Sequence, residues 1–150
     1  PATIANARRL CAAAQLLGVP ALFTEQNPKG LGPTVPELTP YRSEVVSKMT
    51  FDAVPAAGFL ERIPEGHAAV VAGCEAHVCA LQTALSLVER GRRTFVVRDA
   101  VCSRRVESLE AALRRMERNG VEIVTTEMVL FEWLETAEHP RFRETAALVK

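Results

Sequence analysis

The stretch Val70 to Thr83, VVAGCEAHVCALQT, changes its periodicity midway, and that change constrains the fold more than any other feature of the chain. His67 to Val70 leads into Val71 and Ala72, an apolar run closed by Gly73 that suits a strand covered on both faces. From Ala76 onward the spacing is helical: Leu81, Leu85 and Val88 share one face, and Gly91 supplies a stop. A buried strand therefore passes through a tight turn into a helix that opens close to Cys79, at the carboxyl end of a parallel strand. Open α/β sheets bind ligands at that edge. Unpaired N–H groups and the positive end of the helix dipole favour an anion there, which pushes a thiol toward thiolate. The competing reading of Cys79 is a small buried apolar side chain.

Read in order, the chain opens with a helix, its stripe being Ile4, Leu10, Cys11, Ala14 and Leu17, with Gly18 as terminator. Val19 to Phe23 reads as a strand, and Thr24 to Ser43 as a long loop rich in Pro and Gly, a length that often carries function. A short strand over Glu44 to Lys48 and a short helix over Ala56 to Arg62 precede the central strand. Thr94 to Arg98 is the next strand, with Asp99 at its carboxyl end. Val106 to Arg118 is a helix ended by Asn119-Gly120, and Val121 to Val124 is a further strand. Thr125 or Thr126 caps a helix reaching Leu134, and Arg143 to Val149 forms a last one. Strand and helix alternate throughout, so the class is α/β with a mainly parallel sheet. A doubly wound domain usually starts on a strand, whereas this sequence starts on a helix.

Composition narrows the partners. With 150 residues, 48% of them hydrophobic, the chain suits one domain around one core. Eighteen basic residues balance eighteen acidic ones, which gives no electrostatic reason to expect nucleic acid or an anionic membrane as partner. No apolar run is long enough to span a bilayer. Four cysteines lack the density of a disulfide scaffold and point to a reducing, cytoplasmic setting. Cys74 and Cys79 do not have the C-x-x-C spacing of a redox pair.

Three segments together carry a resemblance: GCEAHVCALQTALSLVERG from Gly73 to Gly91, RDAVCSRR from Arg98 to Arg105, and VEIVTTEMVLFEWL from Val121 to Leu134. The chain resembles the isochorismatase-like cysteine hydrolase superfamily over nearly its whole length and in the right order. TEQNPKGLGPTVPEL from Thr24 to Leu38, KMTF from Lys48 to Phe51 and HPRF from His139 to Phe142 are most similar to its isochorismatase domain-containing branch. The resemblance implies a three-layer α/β/α fold with a doubly wound, mainly parallel sheet whose first strand precedes Pro1.

What it implies about the site follows residue by residue. Cys79 falls at the place of the family nucleophile and Lys48 at that of its lysine partner. A cis peptide is expected between Cys74 and Glu75, or one residue later at Glu75-Ala76. Backbone N–H groups of Glu75 and Cys79 then form the oxyanion hole, since fixed donors stabilise a tetrahedral oxyanion without moving. The family's general base, an aspartate ending its first strand, has no counterpart here, so the natural chain is expected to extend before Pro1. Asp52 and Asp99 do not occupy the motif position; Asp52 reads as a turn residue, and Asp99 as an anchor for the loop holding Ser103 and Arg104. Thr24, Gln26 and His77 are candidate pocket residues, His77 also reading as a structural histidine. Zinc-binding relatives place an aspartate and histidines in the loop after the second strand. TEQNPKG offers only Glu25 there, so neither metal nor cofactor is expected.

A thiolate with an oxyanion hole suits acyl transfer, which points to an amide-type C–N bond in a small, weakly charged molecule. The alternative is a noncatalytic binding or assembly protein on the same fold. The resemblance also implies a homo-oligomer, for which the Met128, Leu130, Phe131, Trp133 and Leu134 segment is a candidate surface.

Overall fold

Five parallel strands alternate with six helices in the computed structural model, which describes every residue from Pro1 to Lys150. The order is α1 (Ala2–Leu17), β1 (Phe23–Gln26), α2 (Pro28–Leu31), β2 (Val45–Lys48), β3 (Ala69–Cys74), α3 (Leu81–Glu89) and β4 (Thr94–Cys102). It ends with α4 (Val106–Arg118), β5 (Glu122–Val124), α5 (Thr126–Leu134) and α6 (Phe142–Ala147). The strands form two parallel sheets, β1-β2 and β3-β4-β5.

Alternation along β4 builds the layers. Val96 and Val101 face Ala84, Leu113 and Met116 of α3 and α4. Val97 and Ala100 face Leu10 and Ala13 of α1 and Leu130 of α5 on the other side. Neighbouring strand residues point to opposite faces, so this one buried strand is covered by helices on both. A third cluster joins Val46 of β2 to Leu87 of α3 through Val54 and Phe59. Leu130 has no exposed surface. Leu130→Ala is expected to lower unfolding stability by about 2–5 kcal/mol, read from urea denaturation with an unchanged slope.

Helix ends follow local chemistry. Gly18 takes the left-handed conformation, φ 70°, and closes α1 by donating to the Ala14 carbonyl. Thr125 Oγ1 accepts the Met128 N–H and caps α5.

Several boundaries differ from the sequence reading. The first strand is Phe23–Gln26 rather than Val19 to Phe23, because pairing with β2 begins at Phe23↔Val45. Thr24 and Gln26 are therefore strand residues, not loop. Ala56 to Arg62 keeps only a short tight turn of helix at Leu60–Arg62. β4 runs on through Asp99 to Cys102, since the β3–β4 register shifts between Val71 and Gly73. Asp99 thus does not anchor the Ser103–Arg104 loop: its Oδ1 accepts from Thr126 N and Thr126 Oγ1, both at 2.8 Å, and holds the start of α5. Asp52 is a turn residue that accepts the Val54 N–H and contacts Ser86 Oγ. The cysteines also depart from expectation, because Cys74 and Cys102 are disulfide-bonded.

The sheet is not continuous. A slot of about 1000 Å³ separates β1 from β3, bounded by Phe23 and Thr24 on one side and Ala69 to Cys74 on the other. Leu10 and Ala14 of α1 line it, as do Ala80 and Leu87 from the far layer. β1 and β3 each pair along one edge only, so both leave backbone N–H and C=O groups turned to the slot.

Candidate active site

The carboxyl ends of β1, β2 and β3 converge at one end of the slot. β2 delivers Lys48, whose side chain is 6% exposed. Its ammonium donates to Gln26 Oε1 at 2.5 Å and to the carbonyls of Thr50 and Phe51 at 3.0 and 2.8 Å. All three protons are used, which fixes a buried charge among oxygen acceptors. Gln26, at the end of β1, is held in turn by its Nε2 donating to the Met49 carbonyl at 2.7 Å. Cys79 Sγ meets the same Gln26 Oε1 at 4.0 Å. The amide of Gln26 therefore spaces the ammonium from the sulfur.

β3 supplies the sulfur through a turn. The Cys74–Glu75 peptide is cis, and Glu75 is extended (φ −91°, ψ 146°). Ala76–Ala80 follows as one wide helical turn, with Ala80 N reaching back to Glu75 O at 3.3 Å, and it continues into α3. Ala76 is fully buried against β4, so its side chain is core and only its backbone borders the site. The Glu75 N–H, at the start of the turn, donates to no protein acceptor.

Of the pocket candidates, Thr24 lines the slot and Gln26 touches both Lys48 and Cys79. His77 goes elsewhere: its Nδ1 is 2.8 Å from Ser103 Oγ, and its Nε2 is 3.9 Å from Glu75 Oε2. Sequence reasoning missed the partners that hold the turn from β4's end, Cys102, Ser103 and Arg104. Nothing in their spacing marks a contact made across 26 to 29 positions.

Glu25, the one acidic residue of TEQNPKG, is a strand residue of β1 and is otherwise employed. Its carboxylate accepts from Thr34 N and Thr34 Oγ1 at 2.8 Å and from Arg42 at 2.6 Å. The Thr34 hydrogen bonds, with Arg42 adding to them, hold its pKa below the usual 4.5. A depressed carboxylate stabilises the fold above its unfolded pKa, and that contribution is lost as pH falls through the lower folded value. Acidification below pH 4.5 is therefore expected to lower the melting temperature, and Glu25→Gln should flatten that part of the profile.

Comparison with known proteins agrees on family and fold. The isochorismatase domain model matches residues 1–128. Isochorismatase domain-containing protein 2 of Bos taurus is 40% identical over 98% of this chain and 72% of its own length. The Homo sapiens protein of that name is 38% identical over 100% of this chain and 74% of its own. Among solved structures, the MAR1 ribonuclease of Caenorhabditis elegans superposes with a TM-score of 0.94 at 36% identity, covering 99% of this chain and 79% of that one. The YcaC gene product of Escherichia coli, described as an octameric hydrolase of unknown specificity, gives 0.86 at 25% identity over 99% and 73%.

Proposed function

This chain belongs to the isochorismatase family, and from that premise we propose that it is a cysteine-dependent hydrolase of small-molecule amide-type C–N bonds. The observation that carries the reading is the meeting of Cys79 and the buried Lys48 ammonium on one amide oxygen, at the carboxyl edge of parallel strands.

In this reading the Cys79 sulfur attacks a carbonyl carbon as its proton is lost to water at the open end of the slot. The tetrahedral oxyanion is held by the N–H groups of Glu75 and Cys79, with the Lys48 charge nearby. Collapse expels the amine and leaves a thioester on Cys79, which water then hydrolyses. The open edges of β1 and β3 leave the slot the width of one extended strand, and a carboxylate at the carboxyl end of a strand placed there would lie on the side of Lys48. A negative charge there complements the Lys48 ammonium. The substrate is small and weakly charged, in keeping with the few polar groups around Thr24.

The protein acts in the cytoplasm as a homo-oligomer in this reading. The Escherichia coli neighbour is described as octameric. The Met128–Leu134 segment divides: Met128 and Phe131 are 46% and 40% exposed and available, whereas Leu130 and Leu134 belong to the core. The Caenorhabditis elegans neighbour is described as a ribonuclease; eighteen basic residues matched by eighteen acidic ones give no electrostatic case for RNA in this chain.

The test is acylation by p-nitrophenyl acetate at near-neutral pH, with the modified residue located by fragment mass spectrometry. Cys79 should carry the acetyl group. Burial pushes the Cys11 thiol up, so that second free cysteine should remain largely unlabelled. The noncatalytic alternative predicts a Cys79 with the reactivity of an ordinary thiol, and a thioester adduct at Cys79 with any acyl substrate would exclude it.

A further inference from the structure

The last paired positions of β3 and β4 are Gly73↔Val101 and Cys74↔Cys102, and beyond them the two strands separate into α3 and α4. Three consecutive residues of the β4 side then reach across to the turn that presents Cys79. Cys102 is disulfide-bonded to Cys74, with the Cα atoms 5.4 Å apart. Ser103 Oγ is 2.8 Å from His77 Nδ1. The Arg104 N–H donates to Glu75 Oε1 at 3.0 Å, and its Nε pairs with the same oxygen at 3.1 Å. Cys74, Glu75 and His77 are thus each held by one residue of a single short segment.

We propose that Cys102–Arg104 is a clamp that positions the oxyanion-binding turn, and that its Cys74–Cys102 bridge makes acyl transfer at Cys79 respond to thiol redox state. This rests on the cysteine-hydrolase reading given above.

The three contacts are unequal. Arg104 is 82% exposed, so its guanidinium pair with Glu75 is weakened by solvent. The His77–Ser103 hydrogen bond is half-buried and exchanges with water at modest net cost. The bridge is covalent and does not depend on solvent. It is also the contact nearest the donor, since the unpartnered Glu75 N–H belongs to the peptide unit that begins at Cys74. With the bridge made, that N–H is fixed relative to β4. Without it, the Glu75 peptide is held only between the Cys74↔Cys102 ladder position and the buried Ala76, with two solvated side-chain contacts, and a donor displaced by about an ångström forfeits on the order of a hundredfold in rate.

The chemistry is reversible and Cys74 is exposed, which gives reagents a path. A trialkylphosphine and water cleave the bridge, giving two thiols and the phosphine oxide. Glutathione disulfide remakes it: one protein thiolate displaces glutathione to form a mixed disulfide, and the second protein thiol displaces the other glutathione. Cys79 keeps its sulfur throughout.

The experiment compares two probes on the full chain, each read at Cys79 by fragment mass spectrometry. Acetylation by p-nitrophenyl acetate passes through an oxyanion, whereas alkylation by iodoacetamide does not. Phosphine reduction is expected to slow acetylation of Cys79 roughly tenfold or more while leaving its alkylation rate unchanged. Glutathione disulfide should restore the wild-type rate. Cys102→Ser should start at the reduced rate, be unchanged by phosphine, and gain only a mixed disulfide at Cys74 from glutathione disulfide, which does not rebuild the bridge. Arg104→Ala in the oxidised protein should show a smaller loss, because the bridge still holds Cys74. Equal acetylation rates before and after reduction would overturn the clamp while leaving the hydrolase reading intact. A parallel fall in both probes would also overturn it, as loss of general fold integrity. No acetylation of Cys79 in the oxidised protein would overturn both readings.

Discussion

Cys79→Ala is expected to remove acyl transfer by about ten-thousandfold or more, the scale on which deleting a covalent nucleophile acts. The substitution takes away one sulfur at a half-buried position beside Gln26 Oε1 and leaves a small apolar side chain in its place. Cys79 has one weak polar contact, at 4.0 Å, so the fold should lose little with it. Melting temperature is therefore the control: a variant that melts with the wild type yet gives no burst and no thioester places the whole loss on chemistry. Lys48 makes a poorer first target. It is buried with three hydrogen bonds, and its removal would take the ammonium donor from the Thr50 and Phe51 carbonyls and from Gln26 Oε1, so activity and stability would fall together.

The second large effect concerns the slot. A strand of apolar residues ending in aspartate, appended ahead of Pro1, is expected to raise the stability of the fold by several kcal/mol. Two open edges, β1 and β3, would each gain a full ladder of backbone partners. Apolar side chains from such a strand would cover Leu10 and Ala14 on one face and Leu87 on the other, each large one contributing about 1.5–3 kcal/mol gross before ordering costs. A net gain of about 3 kcal/mol would raise the melting temperature by roughly 6–12 °C in a chain of this size. The same extension should abolish binding of the hydrophobic dye ANS, which reports exposed apolar surface. It should also speed acetylation of Cys79 when the terminal residue is aspartate and not when it is asparagine. Unchanged melting and dye binding would mean that the slot does not accept a strand.

Much of this fold was legible because local signals and burial agreed. Val106–Arg118 was bounded correctly by its apolar face and by Asn119-Gly120, and α1 by Gly18. The boundaries that failed did so where pairing overrode pattern. Thr24–Gln26 reads as loop because Glu25 and Gln26 are polar and proline follows, yet β2 draws them into a ladder. Asp99 reads as a strand end because a charge interrupts the apolar run, yet β4 passes through it and spends the carboxylate on Thr126. At the site, Cys79, Lys48 and Gln26 come together from β3, β2 and β1, an encounter that family motifs pointed to and that no local periodicity encodes. The Cys102–Arg104 clamp was invisible for the same reason: its partners lie 28, 26 and 29 positions away and meet only because β3 and β4 are neighbours.

The most direct measurement is the location of the acyl group after brief treatment with p-nitrophenyl acetate and acid quench. One acetyl group per chain, on Cys79, lost on standing at neutral pH and absent from Cys79→Ala, is the result expected of a nucleophile that forms and then hydrolyses a thioester. An acetyl group spread over Cys11, Cys79 and the lysines, at rates the substitution does not alter, would contradict the assignment of Cys79 as nucleophile.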